Sequence, residues 1–247
     1  MQPVRSSPEE HPAPIRTVGE TGSTNDDLAA LARDGAPEGS WLRAERQTGG
    51  RGRLGRQWQS PPGNLHASTL VRLRAGDPPA PTLALAAAVA LHEVVQAYAR
   101  EVEIRIKWPN DLLAGGAKLA GILLERSGDA VILGFGVNLA AHPQDVARPA
   151  TSLRALIGSA ADPDAFLHDL AGSFARWLGV WRREGLGTVR REWIARAHPV
   201  GTPLSATIAK GEAVEGLFDG LDEQGALRLR LADGAVHVIQ AGDVFII

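Results

Sequence analysis

The sequence predicts an α+β protein in which a mixed, mainly antiparallel sheet carries helices on one side and is followed by a small C-terminal β-barrel. Two observations support this fold class. Between residues 104 and 139, short runs with strand-like character are separated by turns, most of them glycine-containing, which is typical of an antiparallel meander. After residue 199, five shorter strand-like runs follow, most of them separated by glycine turns, which is typical of a small barrel.

The first 100 residues combine strands and helices. The predicted elements are strands at 15–18, 41–45 and 65–73 and helices at 26–33 and 81–100. The first helix has apolar residues at helical spacing and ends at Gly35. Its start carries a capping-box pattern, Ser23 with Asp26 or Thr24 with Asp27. The second helix is apolar enough to be buried.

The remaining residues contain the meander, two helices and the barrel. The meander comprises a strand at 104–108, a turn at 109–111, a hairpin of 112–114 and 118–125 around Gly115-Gly116, a turn at 127–129 and a strand at 131–139. Helices are predicted at 163–183 and 188–197, and barrel strands at 204–209, 213–218, 226–231, 236–239 and 244–246. Because the pattern changes after Pro199, we expect one domain at 15–199 and a second at 200–247. Residues 1–14, which are rich in Pro, Ser and Glu, are expected to form a flexible tail.

Composition excludes several classes of protein. The formal net charge is -2, so the chain lacks the basic field of a typical nucleic-acid binder. Cysteine is absent, which rules out disulfides and thiolate metal sites. The first 14 residues lack the apolar region of a secretory signal, and the most apolar stretch, 83–95, is too short to span a bilayer. We therefore expect a soluble, cytoplasmic protein that binds neither nucleic acid nor membrane.

A loop rich in glycine and arginine is the first candidate for a binding site. Residues 46–56 contain Arg46, Arg51, Arg53 and Arg56 among four glycines. Glycine lets backbone N–H groups approach a ligand, and arginine supplies forked donors for carboxylate and phosphate. Taken alone, the loop is equally consistent with a flexible linker, a nucleic-acid contact or a charged surface turn. It is neither a Walker A loop nor a Rossmann fingerprint, because the Gly-Lys-Ser/Thr ending and the parallel βαβ context are both missing.

Two lysines strengthen this candidate. Of 26 basic residues only Lys107, Lys118 and Lys210 are lysine. Lys107 and Lys118 flank the turn at 109–111 and the glycine hairpin. Each is ordinarily read as a solvated strand charge, but Lys118 begins an apolar strand, where such a residue is less expected.

An ordered set of motifs resembles the biotin protein ligase family. The set comprises Gly22-Ser23-Thr24-Asn25, the run from Gln47 to Trp58 (QTGGRGRLGRQW), Lys107-Trp108-Pro109-Asn110-Asp111, Lys118-Leu119-Ala120-Gly121-Ile122-Leu123 and Gly134-Phe135-Gly136-Val137-Asn138-Leu139. The resemblance extends from about residue 15 to the C-terminus. It implies a class II synthetase-like catalytic domain that binds biotin and ATP, followed by an SH3-like domain from residue 200.

The resemblance also implies a two-step reaction with ATP, Mg²⁺ and biotin. Biotin and ATP give biotinyl-5′-AMP, and a lysine of a biotin carboxyl carrier protein then attacks this adenylate. The implied biotin-binding residues are Ser23, Thr24, Asn25, Gln47, Gly50, Arg51, Gly52, Arg53, Lys118 and Gly121, with Lys118, Arg51 and Arg53 carrying the catalysis. The implied ATP and adenylate residues are Arg56, Trp58, Lys107, Asn110, Asp111 and Asn138. No fixed metal site is implied, since Mg²⁺ arrives with ATP and Asp111 is a candidate to assist it.

Several interpretations stay open at this point. Ser23 and Thr24 are equally explained as helix caps, Asp111 as a turn former and Trp58 as a core anchor. Relatives that double as repressors carry an N-terminal helix-turn-helix domain; residues 1–14 leave no room for one, so we expect no operator binding. His66 occupies a position where many relatives have tyrosine. The competing hypotheses are a lipoate-type ligase, a nucleic-acid-binding module and an inactive biotin sensor, and the chain is expected to be a monomer or homodimer.

Overall fold

Two β-sheets organise the chain, whose computed structural model describes residues 15–144, 146, 148–207 and 213–247. The larger sheet consists of β1 (Ile15–Thr21), β2 (Trp41–Gln47), β3 (Leu65–Arg72), β4 (Ile104–Lys107), β5 (Asp111–Ala114), β6 (Ala117–Ser127) and β7 (Ala130–Val137). Their spatial order is β1-β2-β3-β7-β6-β5-β4. β1 and β2 are parallel and the other neighbours are antiparallel, so the sheet is mixed and mainly antiparallel.

The α-helices in the described part of the chain are α1 (Thr24–Arg33), α2 (Leu83–Tyr98), α3 (Leu153–Ile157), α4 (Pro163–Glu184) and α5 (Leu186–Arg196). α4 begins where its sequence dictates. The side chain of Asp162 accepts a hydrogen bond from the backbone N–H of Ala165, and Pro163 occupies the first turn, where no N–H is needed. α3 ends at Gly158, whose positive φ closes the last turn.

Side chains that alternate along the strands bury both faces of the larger sheet. Trp41 packs against Phe135 and Phe174, with ring centroids 5.5 and 6.1 Å away, in the main core that α2, α4 and α5 cover. The next residue, Leu42, points to the opposite face and packs with Leu28 of α1 in a second cluster. α1 is therefore held on one side of the sheet and the three long helices on the other.

The smaller sheet consists of β8 (Pro203–Thr207), β9 (Ala213–Leu221), β10 (Leu227–Arg230), β11 (Val236–Ile239) and β12 (Asp243–Ile246), in the spatial order β11-β10-β9-β8-β12. All its pairings are antiparallel. This sheet packs against the larger one. The indole N–H of Trp108 donates to the carbonyl of Gly225 at 3.2 Å, and Trp193 of α5 meets Phe218 edge-on at 6.4 Å. These contacts bring β12 next to β4.

The predicted α+β class is confirmed, with refinements. The long helices lie on one side as predicted, while α1 covers the other face. The predicted meander corresponds to β4–β7. The short helix α3 was not predicted, because five residues are too few to show a helical period. The predicted tail 1–14 and the end of the predicted strand 204–209 fall outside the described residues.

Among the residues that the structure describes, one helix has the length and apolar composition of a membrane-crossing segment. Residues Ala80–Tyr98 pass that test by length and composition, and 67% of the tested window is buried inside the protein. The helical segment extends beyond the apolar stretch 83–95, which is by itself too short to span a bilayer. Its apolar composition is explained by its position, because α2 packs against the sheet and against α4.

Candidate active site

A pocket of about 250 Å³ lies on the α1 side of the larger sheet. Its walls come from the start of α1, the glycine–arginine loop, the edge formed by β5–β7 and strand β12. The sequence-predicted residues that line it are Ser23, Thr24, Asn25, Gln47, Arg51, Gly52, Arg53, Arg56, Trp58, Lys107, Asn110, Asp111, Lys118, Gly121 and Asn138. The structure therefore brings together residues that are more than 100 positions apart in the sequence.

The start of α1 contributes neutral polar groups to one end of the pocket. Ser23 occupies the N-cap position, but its side chain makes no capping hydrogen bond. The predicted capping box was therefore wrong. The backbone N–H and the hydroxyl of Thr24 instead donate to Oε1 of Gln47, at 2.8 and 3.0 Å. These hydrogen bonds fix the Gln47 amide at the pocket wall, and its Nε2 donates to Ser60 at 3.2 Å.

Asn25 is fixed by hydrogen bonds on both sides of its amide. Its Nδ2 donates to Glu125 at 2.6 Å, and its Oδ1 accepts from the hydroxyl of Ser68 at 2.6 Å. A side chain at Gly134 would collide with Asn25. The glycine in β7 is therefore required for Asn25 to lie against the sheet.

The glycine–arginine loop folds back on itself as a small hairpin. Arg51 and Gln57 form an isolated antiparallel bridge, and the N–H of Gly52 donates to the carbonyl of Arg56 at 2.7 Å. A Cβ at Gly50 would lie 2.8 Å from the carbonyl oxygen of Trp58, so only glycine fits this approach. At the tip, Leu54 adopts a left-handed conformation (φ 57°) and is 77% exposed.

Arg51 faces carboxylates in the structure. Its two amino groups donate to both oxygens of Asp26 at 2.6 Å, and one of them also lies 3.3 Å from Glu125. The hydrogen bond from Arg51 lowers the pKa of Asp26, against the effect of burial. The arrangement ties the loop to α1, and it places the Arg51 side chain beside the Asn25 contact with Glu125.

An ion triplet around the buried carboxylate of Asp111 lies at the other end of the pocket. Nζ of Lys118 is 2.7 Å from Oδ1 of Asp111, and Nζ of Lys107 is 3.2 Å from Oδ2. Burial would raise the pKa of Asp111, but the two ammonium groups outweigh it and hold the pKa below its ordinary value. Burial lowers the pKa of Lys107, against the attraction of Asp111. A Cβ at Gly121 would lie 3.1 Å from Nζ of Lys118, so this glycine makes room for the ammonium group.

Trp58 lines the pocket and its ring lies against β7. A Cβ at Gly136 would be 2.5 Å from its ring, and Nζ of Lys118 is 5.5 Å from the ring centroid. Its buried indole N–H has no hydrogen-bond partner among the described residues. Gly134 and Gly136 are two positions apart on the same face of β7, so Asn25 and Trp58 lie side by side along one strand.

Asn110 and Asn138 line the pocket with their side chains already engaged. Nδ2 of Asn110 donates to the carbonyl of Ile122, and Nδ2 of Asn138 donates to the carbonyl of Thr151 at 3.0 Å. Both amides stabilise the backbone that surrounds the lysines. Any contact with a nucleotide can use the second N–H of each side-chain amide or its oxygen.

Comparison with known proteins relates this geometry to a family. Residues 21–138 match the model of the biotin/lipoate A/B protein ligase family, and residues 206–246 match the biotin protein ligase C-terminal domain. The chain is 40% identical to a biotin–[acetyl-CoA-carboxylase] ligase of Paracoccus denitrificans over 92% of its own length and 98% of the relative. The chain belongs to the biotin protein ligase family.

Solved structures of biotin protein ligases share the fold. The enzyme from Aquifex aeolicus, in complex with biotin and ATP, superposes with a TM-score of 0.85 at 24% identity, covering 94% of this chain and 99% of the other. The enzyme from Leishmania major, in complex with biotinyl-5-AMP, gives a TM-score of 0.68 at 25% identity, covering 94% and 100%. The two-sheet architecture is thus that of biotin protein ligases.

The pocket of this biotin protein ligase family member also contains residues that the sequence did not single out. Asp243 of β12 lies 3.7 Å from Arg53 and also pairs with Arg56, and Arg53 donates to the carbonyl of Gly242 at 3.0 Å. Nζ of Lys107 donates to the carbonyl of Val244 at 3.1 Å. Strand β12 therefore forms part of the pocket wall. No local pattern around Asp243 indicates this, because the packing of the smaller sheet creates the contact.

The ion pairs of Asp111 with Lys107 and Lys118 limit the binding of a metal ion in the pocket. Within residues 15–144, 146, 148–207 and 213–247, no three His, Asp or Glu side chains are grouped to hold a metal. Both oxygens of Asp111, the predicted candidate to assist Mg²⁺, are paired with lysines. The described residues thus offer no carboxylate cage for Mg²⁺, and Asp111 fits the role of a counter-ion better than that of a metal ligand.

Proposed function

We propose that the protein is an ATP-dependent biotin–protein ligase that forms biotinyl-5′-AMP and then transfers biotin to a specific lysine of a biotin carboxyl carrier protein. One observation carries the proposal: a single pocket combines an end built from neutral hydrogen-bonding groups with an end built from lysines. Biotin has the same asymmetry, since its ureido ring is neutral and polar and its tail ends in a carboxylate. The names of the relatives, which include complexes with biotin, ATP and biotinyl-5-AMP, support the same activity.

The neutral end suits the ureido ring. In this proposal Ser23, Thr24, Asn25 and Gln47 supply donors and acceptors to it. Gly50 and Gly52 contribute by letting the loop fold tightly against this end of the pocket. A neutral urea needs paired donors and acceptors rather than charge. The fixed amides of Gln47 and Asn25 are preorganised for this task, because their orientations are set before a ligand arrives.

The cationic end suits the first chemical step. A carboxylate oxygen of biotin attacks the α-phosphorus of ATP, the bond to the bridging oxygen breaks, and pyrophosphate leaves. Two anions must approach each other, so fixed cations lower the barrier. Lys118 is the residue that we assign to the carboxylate and α-phosphate, and Gly121 keeps the space for it. Mg²⁺ bound to ATP would neutralise negative charge on the phosphates, and the chain's own contribution is the cations of this end.

The second step transfers the acyl group. The neutral amine of a carrier lysine attacks the acyl carbon of the adenylate, and AMP leaves with the bonding electron pair. The attacking nitrogen loses one proton to solvent as the amide bond forms. Arg51 and Arg53 are the residues that we assign to retaining the adenylate until the carrier arrives, with Arg56, Trp58, Lys107, Asn110 and Asn138 on the nucleotide side. In this scheme Asp111 holds Lys107 and Lys118 in place and does not reach the carrier.

The proposal assigns biotin and ATP binding to residues 15–199, and a supporting role to the SH3-like residues 200–247. It places the enzyme in the cytoplasm, where carboxylase carrier domains are substrates. Mass spectrometry of the protein with biotin, MgATP and a carrier domain tests the whole scheme. We expect a mass increase of one biotinyl group on a single carrier lysine, and none when lipoate replaces biotin. Lipoylation without biotinylation would overturn the proposal in favour of a lipoate ligase.

A further inference from the structure

Arg148 is an arginine of the pocket wall that none of the motifs contains. It lies between β7 and α3 and faces strand β12. Its guanidinium carbon is 4.0 Å from the centroid of the Phe245 ring, and one of its amino groups is 3.9 Å from Oδ2 of Asp243. The aromatic ring and the carboxylate together restrict the planar guanidinium to one position.

Asp243 gathers three arginines at this position. Besides Arg148, its carboxylate pairs with Arg56 and lies 3.7 Å from Arg53. The Asp243 side chain is only 15% exposed, so the group is partly desolvated. A single carboxylate compensates one positive charge, and three guanidinium groups converge on it.

The excess of positive charge extends across this end of the pocket. Lys107, Lys118, Arg53, Arg56 and Arg148 face the two carboxylates of Asp111 and Asp243. Among these seven side chains, three positive charges are uncompensated. Burial and the nearby Arg56 both lower the pKa of Arg148, which reflects the crowding of like charges. Crowded, partly buried cations are stabilised by an anion that carries several charges over a short length.

We propose that Arg148 is a further ATP-binding residue that contacts the β- and γ-phosphates, and that Phe245 and Asp243 of the smaller sheet position it. The inference rests on the proposed use of ATP in the same pocket. A guanidinium has five N–H donors, and the contact with Asp243 engages one amino group, so the other donors remain for phosphate oxygens. The smaller sheet would thereby contribute to nucleotide binding through an arginine that belongs to the larger domain.

Equilibrium binding of three probes tests this assignment without requiring turnover. Titration calorimetry measures the affinity of the full chain for MgATP, for inorganic pyrophosphate and for AMP. We expect R148Q to weaken binding of MgATP and of pyrophosphate about tenfold, the loss of one charge-assisted hydrogen bond. The affinity for AMP, which lacks the β- and γ-phosphates, should change less than about twofold.

Two further variants separate binding from a purely structural role. F245L removes the aromatic ring but leaves the charge of Arg148, and we expect it to weaken MgATP binding less than R148Q does. If Phe245 acts through Arg148, the double variant R148Q/F245L should bind MgATP no more weakly than R148Q alone. The matched control is R100Q, because Arg100 is exposed at the end of α2 and does not line the pocket.

The outcomes distinguish this inference from the proposed function. Unchanged MgATP and pyrophosphate affinities in R148Q would overturn the assignment even if biotinylation proceeds normally. If R148Q weakened only the binding of the carrier protein, Arg148 would be a docking residue and the assignment to ATP would be overturned. Weakened polyphosphate binding in a protein that makes no biotinyl-5′-AMP would uphold the assignment and refute the proposed reaction. A wild-type chain that binds neither MgATP nor pyrophosphate would refute both.

Discussion

Lys118 and Asp111 form an ion pair in which Nζ lies 2.7 Å from Oδ1, and Lys107 pairs with the other oxygen of the same carboxylate. The side chain of Asp111 is only 10% exposed, so its charge depends on these two lysines for much of its stabilisation. The triplet joins β4, β5 and β6 at the pocket, and it links the stability of this sheet edge to the position of the Lys118 ammonium group.

Replacing Asp111 should therefore be costly for stability. In D111N the two lysines lose their counter-ion, and we expect the free energy of unfolding to fall by about 3 kcal/mol, as for other broken buried pairs. Urea denaturation measures this loss. D129N is the matched control, since Asp129 pairs with Arg72 at an exposed position, and its effect should stay below about 0.5 kcal/mol. Equal effects of the two substitutions would contradict a buried triplet.

The pH dependence of the same variant gives a second check. Because the folded pKa of Asp111 is lowered, the unfolded chain binds this proton more readily than the folded chain does. The stabilising contribution is complete above the ordinary pKa of 3.8 and is lost as the pH falls through the lower folded value. The difference in unfolding free energy between wild type and D111N should be constant near neutral pH and shrink below about pH 4.

Lys118 should not be replaceable by arginine. Its ammonium group occupies a space bounded by Asp111 and by Gly121, where a Cβ would already lie 3.1 Å from Nζ. A planar guanidinium spreads its charge over three nitrogens and does not reproduce the compact ammonium group at this position. We expect K118Q and K118R to lower the kcat for biotinyl-5′-AMP formation about 10²- to 10³-fold. Pyrophosphate release measures kcat, and a K118R enzyme with near wild-type kcat would refute the assignment of Lys118.

The extent to which sequence predicts this site depends on how local each contact is. The glycine–arginine loop and the Lys118 hairpin are contiguous, so their residue types alone indicated a site for an anion. The roles of Arg148 and Asp243 could not be predicted from the sequence, because these residues meet only after β12 has packed beside β4. The capping box failed for a similar reason: the Thr24 hydroxyl, 23 positions from Gln47, finds a better partner there than in its own helix.

Two glycines of β7 should affect the two substrates separately. A Cβ at Gly136 would lie 2.5 Å from the ring of Trp58, and a Cβ at Gly134 would collide with Asn25. We expect G136A to raise the KM for ATP and G134A to raise the KM for biotin, each by about tenfold or more, since overpacking displaces the side chain above. G172A is the control, because a Cβ at Gly172 in α4 meets nothing within 4 Å. A KM for biotin that changes equally in both variants would contradict the division of the pocket.

Arg53 should help to retain the adenylate. Its guanidinium donates to the carbonyl of Gly242 at 3.0 Å, which closes the glycine–arginine loop against β12. In R53G this contact is lost, and we expect biotinyl-5′-AMP to dissociate about tenfold faster. The released adenylate should then label lysines of bystander proteins, which mass spectrometry detects. Release rates equal to those of the wild type, or of an R100G control, would refute this role.

The glycine–arginine loop should become more ordered when a ligand binds. Its hairpin rests on few backbone hydrogen bonds, such as the one from the Gly52 N–H to the Arg56 carbonyl, and its tip at Leu54 is exposed. Segments with few buried contacts open at low free-energy cost, and the glycines add backbone freedom. We expect the amides of residues 49–56 to exchange at least about tenfold more slowly when biotin and MgATP are added. Hydrogen exchange with mass spectrometry measures this change, and the amides of the buried helix α2 serve as the internal reference. Equal protection of residues 49–56 with and without ligand would show that the loop is already closed, and the retention of the adenylate would then depend on its side chains alone.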